Sequence, residues 1–157
     1  MMIDANIKQA ILDLQSKYPH RRSALIPALH IVQDAIGYLP LDAQAEVAEL
    51  FDLPTNEVCA IVSFYELFYD KPQGKHHIHV CKNISCMLRG SDQLIEKLCD
   101  KLQVAPGGTT KDGLYTLIPS ECLGACDRAP MMIVGKDVVG PVTDSDIEAL
   151  IAKAVKI

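Results

Sequence analysis

Two short cysteine pairs constrain this chain more than any other feature. Cys81 and Cys86 form a C-x4-C, Cys122 and Cys126 form a C-x3-C, and 35 residues lie between the pairs. Four sulfurs gathered from two loops repel one another as thiolates, and they stay protonated unless a cation or a metal cluster neutralises them. Cys59 and Cys99 stand apart from this set. Cys99 falls with Ile95 and Leu102 at helical spacing, so it reads as a small core hydrophobe, and Cys59, within an apolar helix, reads the same way.

The remaining composition narrows the compartment. A chain of 157 residues that is 49% hydrophobic can bury a core as one ordinary domain, or as one domain plus a helical extension. Its net charge of −5, with no basic cluster, argues against nucleic acid or anionic lipid as a principal partner. The longest uncharged stretch, Ser23 to Gln33, has 11 residues, whereas a membrane span needs ~20, so no direct membrane insertion is expected. Met1-Met2-Ile3-Asp4 opens without the basic residues of a secretory signal or a mitochondrial presequence. The expectation is a soluble, cytoplasmic protein. In that reducing setting, paired cysteines serve metal binding or redox chemistry more often than structural disulfides.

Hydrophobic spacing predicts helices in the first half and mixed α/β structure in the second. Ile3, Ile7, Ile11 and Leu14 share one helical face. A second helix is expected from Ser23 as cap, with Pro27 restricting its first turn and Gly37 closing it. A third should start after Asp42 and carry Val47, Leu50 and Phe51. Thr55 is placed to cap a fourth, which bears Val58, Ile61 and Val62 and ends near Phe64-Tyr65. Short connections favour a compact bundle. Pro72 and Gly74 mark the boundary, which divides the chain into residues 1–73 and 74–157. Beyond it, a strand should end at Cys81, a helix should cover about 90–102, and a second strand should run from Leu114 to Pro119. A hairpin is expected over Met131–Val139, and a last helix should follow Thr143-Asp-Ser-Asp146, bearing Ile147, Leu150, Ile151 and Ala154. Cys86 is expected just before the N-terminus of the 90–102 helix, whose dipole would stabilise a thiolate there.

Spacing alone leaves the occupant of the four thiols open. A C-x4-C opens plant-type [2Fe-2S] centres, although the rest of that pattern differs here. Structural zinc mostly uses C-x2-C, but spacers of three and four residues occur, so a Zn(Cys)4 interaction module competes. A thiol–disulfide oxidoreductase is disfavoured, because the sequence contains no C-x-x-C. Gly124 allows the backbone to turn closely around the second pair, and Pro130 with Met131-Met132 can shield one side. Lys82, Arg89 and Arg128 are nearby cations that read as ordinary surface charges.

Cys81-x4-Cys86 with Met87-Leu-Arg-Gly-Ser-Asp92, and then Glu121-Cys-Leu-Gly-Ala-Cys126 with Ala129-Pro130, resembles the 24 kDa (NuoE-type) subunit family of respiratory NADH:quinone oxidoreductase, complex I. Asp112-Gly-Leu-Tyr-Thr-Leu117, Ser23-Ala-Leu-Ile-Pro-Ala-Leu-His-Ile-Val-Gln33 and Val62-Ser-Phe-Tyr65 extend the likeness over nearly the whole chain. Val139-Gly-Pro-Val142 departs from it, standing where many members carry a more aromatic, acidic segment. The resemblance implies an α+β chain in which an N-terminal helical bundle precedes a thioredoxin-like domain holding one [2Fe-2S] cluster. Cys81, Cys86, Cys122 and Cys126 match the ligand positions. It further implies an electron-relay subunit without its own substrate site, beside a flavoprotein subunit that binds FMN and NADH. The assembly would be complex I-like, on the cytoplasmic face of the inner membrane. Related subunits serve NAD-linked hydrogenases and formate dehydrogenases.

Other conspicuous residues have plainer readings. His77 and His79 share a strand face without a third ligand, so His76–His79 reads as an exposed polar strand edge. His30 reads as a core or boundary histidine. Phe64, Tyr65, Phe68 and Tyr69 fit interface contacts or packing between domains equally well.

Overall fold

The computed structural model describes residues 2–149. The chain divides into two compact units, Met1–Pro72 and Gln73–Ile157.

The first unit is helical. α1 (Ala5–Gln15) begins at Asp4, whose carboxylate accepts the Ile7 amide at 2.8 Å and so satisfies one donor of the first turn. α2 (Leu25–Ile36), α3 (Leu41–Phe51) and α4 (Thr55–Phe64) follow. Ile11, Leu29, Val32, Val47 and Val58 lie fully buried in one core. Each such side chain contributes roughly 2 kcal/mol, and helices this short depend on that burial more than on intrinsic propensity.

The helix starts differ from the sequence expectation. Ser23 does not cap α2; a 3-10 turn over Arg21–Ala24 feeds straight into it. Pro27 then sits in the first turn, where its missing N–H has no intrahelical bond to lose. α3 starts at Leu41 rather than after Asp42, and Thr55 is the first residue of α4 rather than its cap. In both cases the preceding proline, Pro40 or Pro54, supplies the extended backbone of the cap without a side-chain bond. Gly37 does close α2, in the left-handed conformation at φ 92°.

The second unit contains β1 (His76–Cys81), α5 (Ile84–Leu88), α6 (Ser91–Leu102), β2 (Tyr115–Ser120), β3 (Met132–Val134) and β4 (Asp137–Val139). The sheet order is β2-β1-β3-β4. β1 and β2 are parallel, joined by the α5–α6 crossover that such a pair requires; β3 pairs antiparallel with β1, and β4 pairs antiparallel with β3 at the sheet edge. Leu94 and Leu98 of α6 share a core with Ile78, Val80, Leu117, Met132 and Val134. α5 is an addition to the expected elements. Asn83 starts it by accepting the Ile84 amide at 2.9 Å.

Helical backbone resumes at 146–149, where the Thr143 amide and hydroxyl both donate to the Asp146 carboxylate, at 2.9 and 2.6 Å. Ile147 reaches the core. Leu150, Ile151 and Ala154 of the expected helix lie outside the described residues. Among the described residues, no helix is long and apolar enough to cross a membrane.

Candidate metal centre

Both cysteine pairs arise at one end of the parallel strands. Cys81, the last residue of β1, lies in register with Ser120, the last residue of β2, and the chain runs from Ser120 almost directly into Cys122. Parallel neighbours point the same way, so the two cysteine-bearing segments leave the sheet side by side. Three contacts tie these exits together. The Lys82 amide donates to the Ser120 carbonyl at 2.9 Å, the Cys81 thiol donates to the Glu121 carbonyl at 3.2 Å, and the Lys82 ammonium pairs with the Glu121 carboxylate at 2.9 Å.

The sulfurs differ in depth. Cys81 and Cys86 are 3% and 1% exposed, whereas Cys122 and Cys126 face solvent. Ala129 and Met131 are buried with the first pair, and Leu123, Ala125 and Ile133 pack against them. Burial pushes the Cys86 thiol up; its hydrogen bond with Cys81 and the charges on Cys81 and Cys126 act in the same direction, and a bond with the Met131 backbone opposes them. Cys81 and Cys126 thus both lie near enough to Cys86 to act on its thiol.

A crowded, partly buried set of thiols is a poor set of free thiolates and a good set of ligands for a cationic centre. Among the described residues, no three His, Cys, Asp or Glu side chains converge closely enough to hold a single ion. Thiolates supplied in pairs by two chain segments would suit a dinuclear iron–sulfur centre or a tetrahedral zinc.

Two parts of the sequence reading need correction. Cys86 lies inside α5, not ahead of α6, so the α6 dipole does not stabilise it and burial governs its thiol instead. The His77–His79 segment is not an exposed strand edge. β1 lies between β2 and β3, and His79 is 7% exposed with Nδ1 3.0 Å from Ser120 Oγ. Burial also holds His77 below its ordinary value. The missed signal was that the β3–β4 hairpin covers the free side of β1.

The remaining candidates behave as ordinary residues. Lys82 pairs with Glu121, and Arg128 lies 3.8 Å from the Asp127 carboxylate. Cys99 packs against the α6 core, and Cys59 is half-buried in α4. Phe68 is buried in the helical unit against the His30 ring, with centroids 4.8 Å apart, whereas Phe64 is 78% exposed.

The loop around the second pair depends on two glycines. Gly124 adopts φ 79°, a left-handed turn between Cys122 and Cys126. Gly140 passes so close to the loop that a Cβ there would lie 2.3 Å from the Arg128 carbonyl oxygen and 2.9 Å from Met131 Cβ. The same approach lets the Val142 amide donate to the Pro130 carbonyl at 2.8 Å. Sequence reasoning singled out Gly124 but not Gly140, whose role depends on a contact made only in the folded chain.

Comparison with known proteins agrees with this architecture. The family model for the thioredoxin-like [2Fe-2S] ferredoxin matches residues 11–155. An NADH-quinone oxidoreductase subunit of Rhizobium meliloti (strain 1021) is 41% identical over 145 residues, which are 92% of this chain and 86% of the relative. The HndA subunit of the NADP-reducing hydrogenase of Solidesulfovibrio fructosivorans is 33% identical over 135 residues, 86% of this chain and 79% of the relative. The crystal structure of an NAD+-reducing [NiFe]-hydrogenase in the air-oxidized state superposes with a TM-score of 0.70 at 29% identity. That match covers 85% of this chain but only 23% of the hydrogenase chain. A family match over nearly all of the sequence, joined to paired cysteines at the ends of adjacent parallel strands, leads to one assignment: the chain belongs to the thioredoxin-like [2Fe-2S] ferredoxin family.

Proposed function

We propose that Cys81, Cys86, Cys122 and Cys126 hold one [2Fe-2S] cluster, and that the chain carries single electrons as a subunit of an NADH:quinone oxidoreductase. The observation that carries this reading is the in-register end of β1 and β2 at Cys81 and Ser120, from which the buried Cys81–Cys86 pair and the Cys122–Cys126 loop leave the sheet side by side. When bound, such a cluster takes up or gives back one electron at a time.

The chain's own residues supply the setting. Cys81 and Cys86 anchor the inner side, and Ala129 and Met131 keep water from it. The Met131 backbone bond to Cys86 favours the charged sulfur, as outer donors do at metal centres. Cys122 and Cys126 leave the outer side close to solvent, where an electron can pass to a neighbouring protein. Residues 74–157 form the cluster-bearing domain, and residues 1–73 are the helical bundle.

NADH gives up two electrons together as a hydride, which a one-electron centre cannot accept directly, so a flavin must stand between them. The partner is therefore an FMN- and NADH-binding flavoprotein subunit, and this chain needs no substrate site of its own. Beside Cys86, α5 exposes Ile84, Met87 and Leu88, a contiguous apolar surface of the kind that a neighbouring protein covers. Attachment to the cytoplasmic face of the inner membrane would come through the assembled complex. The hydrogenase relative supports a second host, an NAD-linked hydrogenase, in which the relay would be the same.

The test is purification from native cells through a tag on this chain. The eluate is expected to contain FMN and to oxidise NADH with ferricyanide as acceptor. Co-purified nickel would move the host to a hydrogenase. An eluate with iron and sulfide but neither flavin nor NADH oxidation contradicts the relay.

A further inference from the structure

The sheet of the second unit has two chemically different faces. Ile78, Val80, Leu117, Met132 and Val134 point into the core shared with α6. Strand alternation sends His79 and Cys81 to the other face, and the parallel register places Ser120, paired with Cys81, on that same face. Ser120 is fully buried, His79 nearly so, and the imidazole Nδ1 lies 3.0 Å from the Ser120 hydroxyl oxygen. This side-chain bond joins the two strands near their ends, from His79, two residues before Cys81, to Ser120, two residues before Cys122. Across the same gap run the Lys82 amide to Ser120 carbonyl bond and the Cys81 thiol to Glu121 carbonyl contact.

From this geometry we infer that His79 and Ser120 are positioning residues, whose buried hydrogen bond fixes the separation between the Cys81–Cys86 segment and the Cys122–Cys126 loop. The inference rests on the cluster reading above. A centre bridging two loops is sensitive to their spacing, because each iron draws sulfur from positions the backbone has already set, and outer contacts fix where those ligands point. Backbone pairing up to the Lys82 amide sets the strand separation, and the side-chain bond adds a second tie on the face that carries Cys81. Breaking it removes one hydrogen bond from a buried pair, a loss that the strand ends can recover only by shifting.

The experiment uses the full chain with its cluster and compares Ser120→Ala, Ser120→Thr, His79→Gln and the double variant His79→Leu/Ser120→Ala. Iron and sulfide content, the electron paramagnetic resonance spectrum of the reduced protein, and the rate of cluster loss to a chelator are measured beside thermal unfolding. Ser120→Ala is expected to keep a full cluster, to broaden the spectrum and to lose iron about fivefold faster, the factor that matches a hydrogen bond of ~1 kcal/mol. Ser120→Thr or His79→Gln, which keep a bonding group, should restore the parent line shape. The double variant should be no faster in cluster loss than Ser120→Ala alone. Variants that unfold earlier yet show the parent spectrum and loss rate would overturn the inference, because they would reveal a structural role only. A parent chain that binds no iron and sulfide would instead overturn the cluster reading itself.

Discussion

Replacing Gly140 with alanine should loosen the cysteine loop. The added Cβ would sit 2.3 Å from the Arg128 carbonyl oxygen, where about 3.0 Å is the least a real Cβ tolerates, so the two backbones must separate by about 0.7 Å. The obstacle is a main-chain oxygen, which no side-chain rotation can move aside. The displacement stretches the 2.8 Å bond from the Val142 amide to the Pro130 carbonyl and drags on Met131, whose carbonyl accepts the Cys81 amide at 3.2 Å. Overpacking at such a contact costs about 1–3 kcal/mol, and weakening one backbone bond adds about 1 kcal/mol. The lower entropy of an unfolded alanine returns about 0.4–1 kcal/mol, leaving a net loss of about 1–4 kcal/mol.

Urea unfolding of the cluster-loaded protein, followed by visible absorbance, reads this loss, and a chelator assay reads the loop. Gly135→Ala is the control: Gly135 has φ 61° with no atom near a built Cβ, so it should cost about 1 kcal/mol of backbone strain without hastening cluster loss. A Gly140→Ala protein with the parent's midpoint and chelator rate would refute the argument from close approach.

The other predictions concern ligands, core and charge. Cys81→Ala should abolish cluster retention, whereas Cys99→Ala should keep the full iron and sulfide content and cost about 1 kcal/mol in urea unfolding. Leu98→Ala removes a fully buried side chain between α6 and the sheet and should cost about 2–5 kcal/mol, readable in the same titration. Glu46 accepts the Met2 amide and pairs with Lys8 at 2.9 Å, and these contacts hold its carboxyl below the usual 4.5 despite opposing burial. A lowered folded-state value means the stabilisation is present above about pH 4.5 and disappears as pH falls through the folded value. Glu46→Gln should therefore be about 1 kcal/mol less stable at pH 7 and should converge with the parent in strong acid, as denaturation at several pH values would reveal.

Much of the fold could be read from hydrophobic period. Ile11, Val47, Val58 and Leu98 each fall where the 3.6-residue pattern puts them, and all are buried. The helix starts were misplaced because Ser23, Asp42 and Thr55 looked like caps by residue type, while a 3-10 turn and two prolines set the backbone instead. α5 escaped notice because five residues are too few to display a period, and its Asn83 cap is a local contact. The proposed ligands were visible as spacing, yet their unequal depth was not. Cys81 and Cys86 are buried by Ala129 and Met131, which lie more than 40 residues further along the chain. His79 was misread for a similar reason. A strand's two neighbours are decided by topology, and polar alternation looks the same on an edge strand and on a central one.

The central claim is that four cysteines share one two-iron centre. Its most direct test is quantitative iron, zinc and acid-labile sulfide analysis of anaerobically purified full-length chain, with electron paramagnetic resonance of the dithionite-reduced sample. The account predicts two irons, two sulfides and one reduced-state signal per chain. One zinc per chain, with no sulfide and no signal, would contradict it.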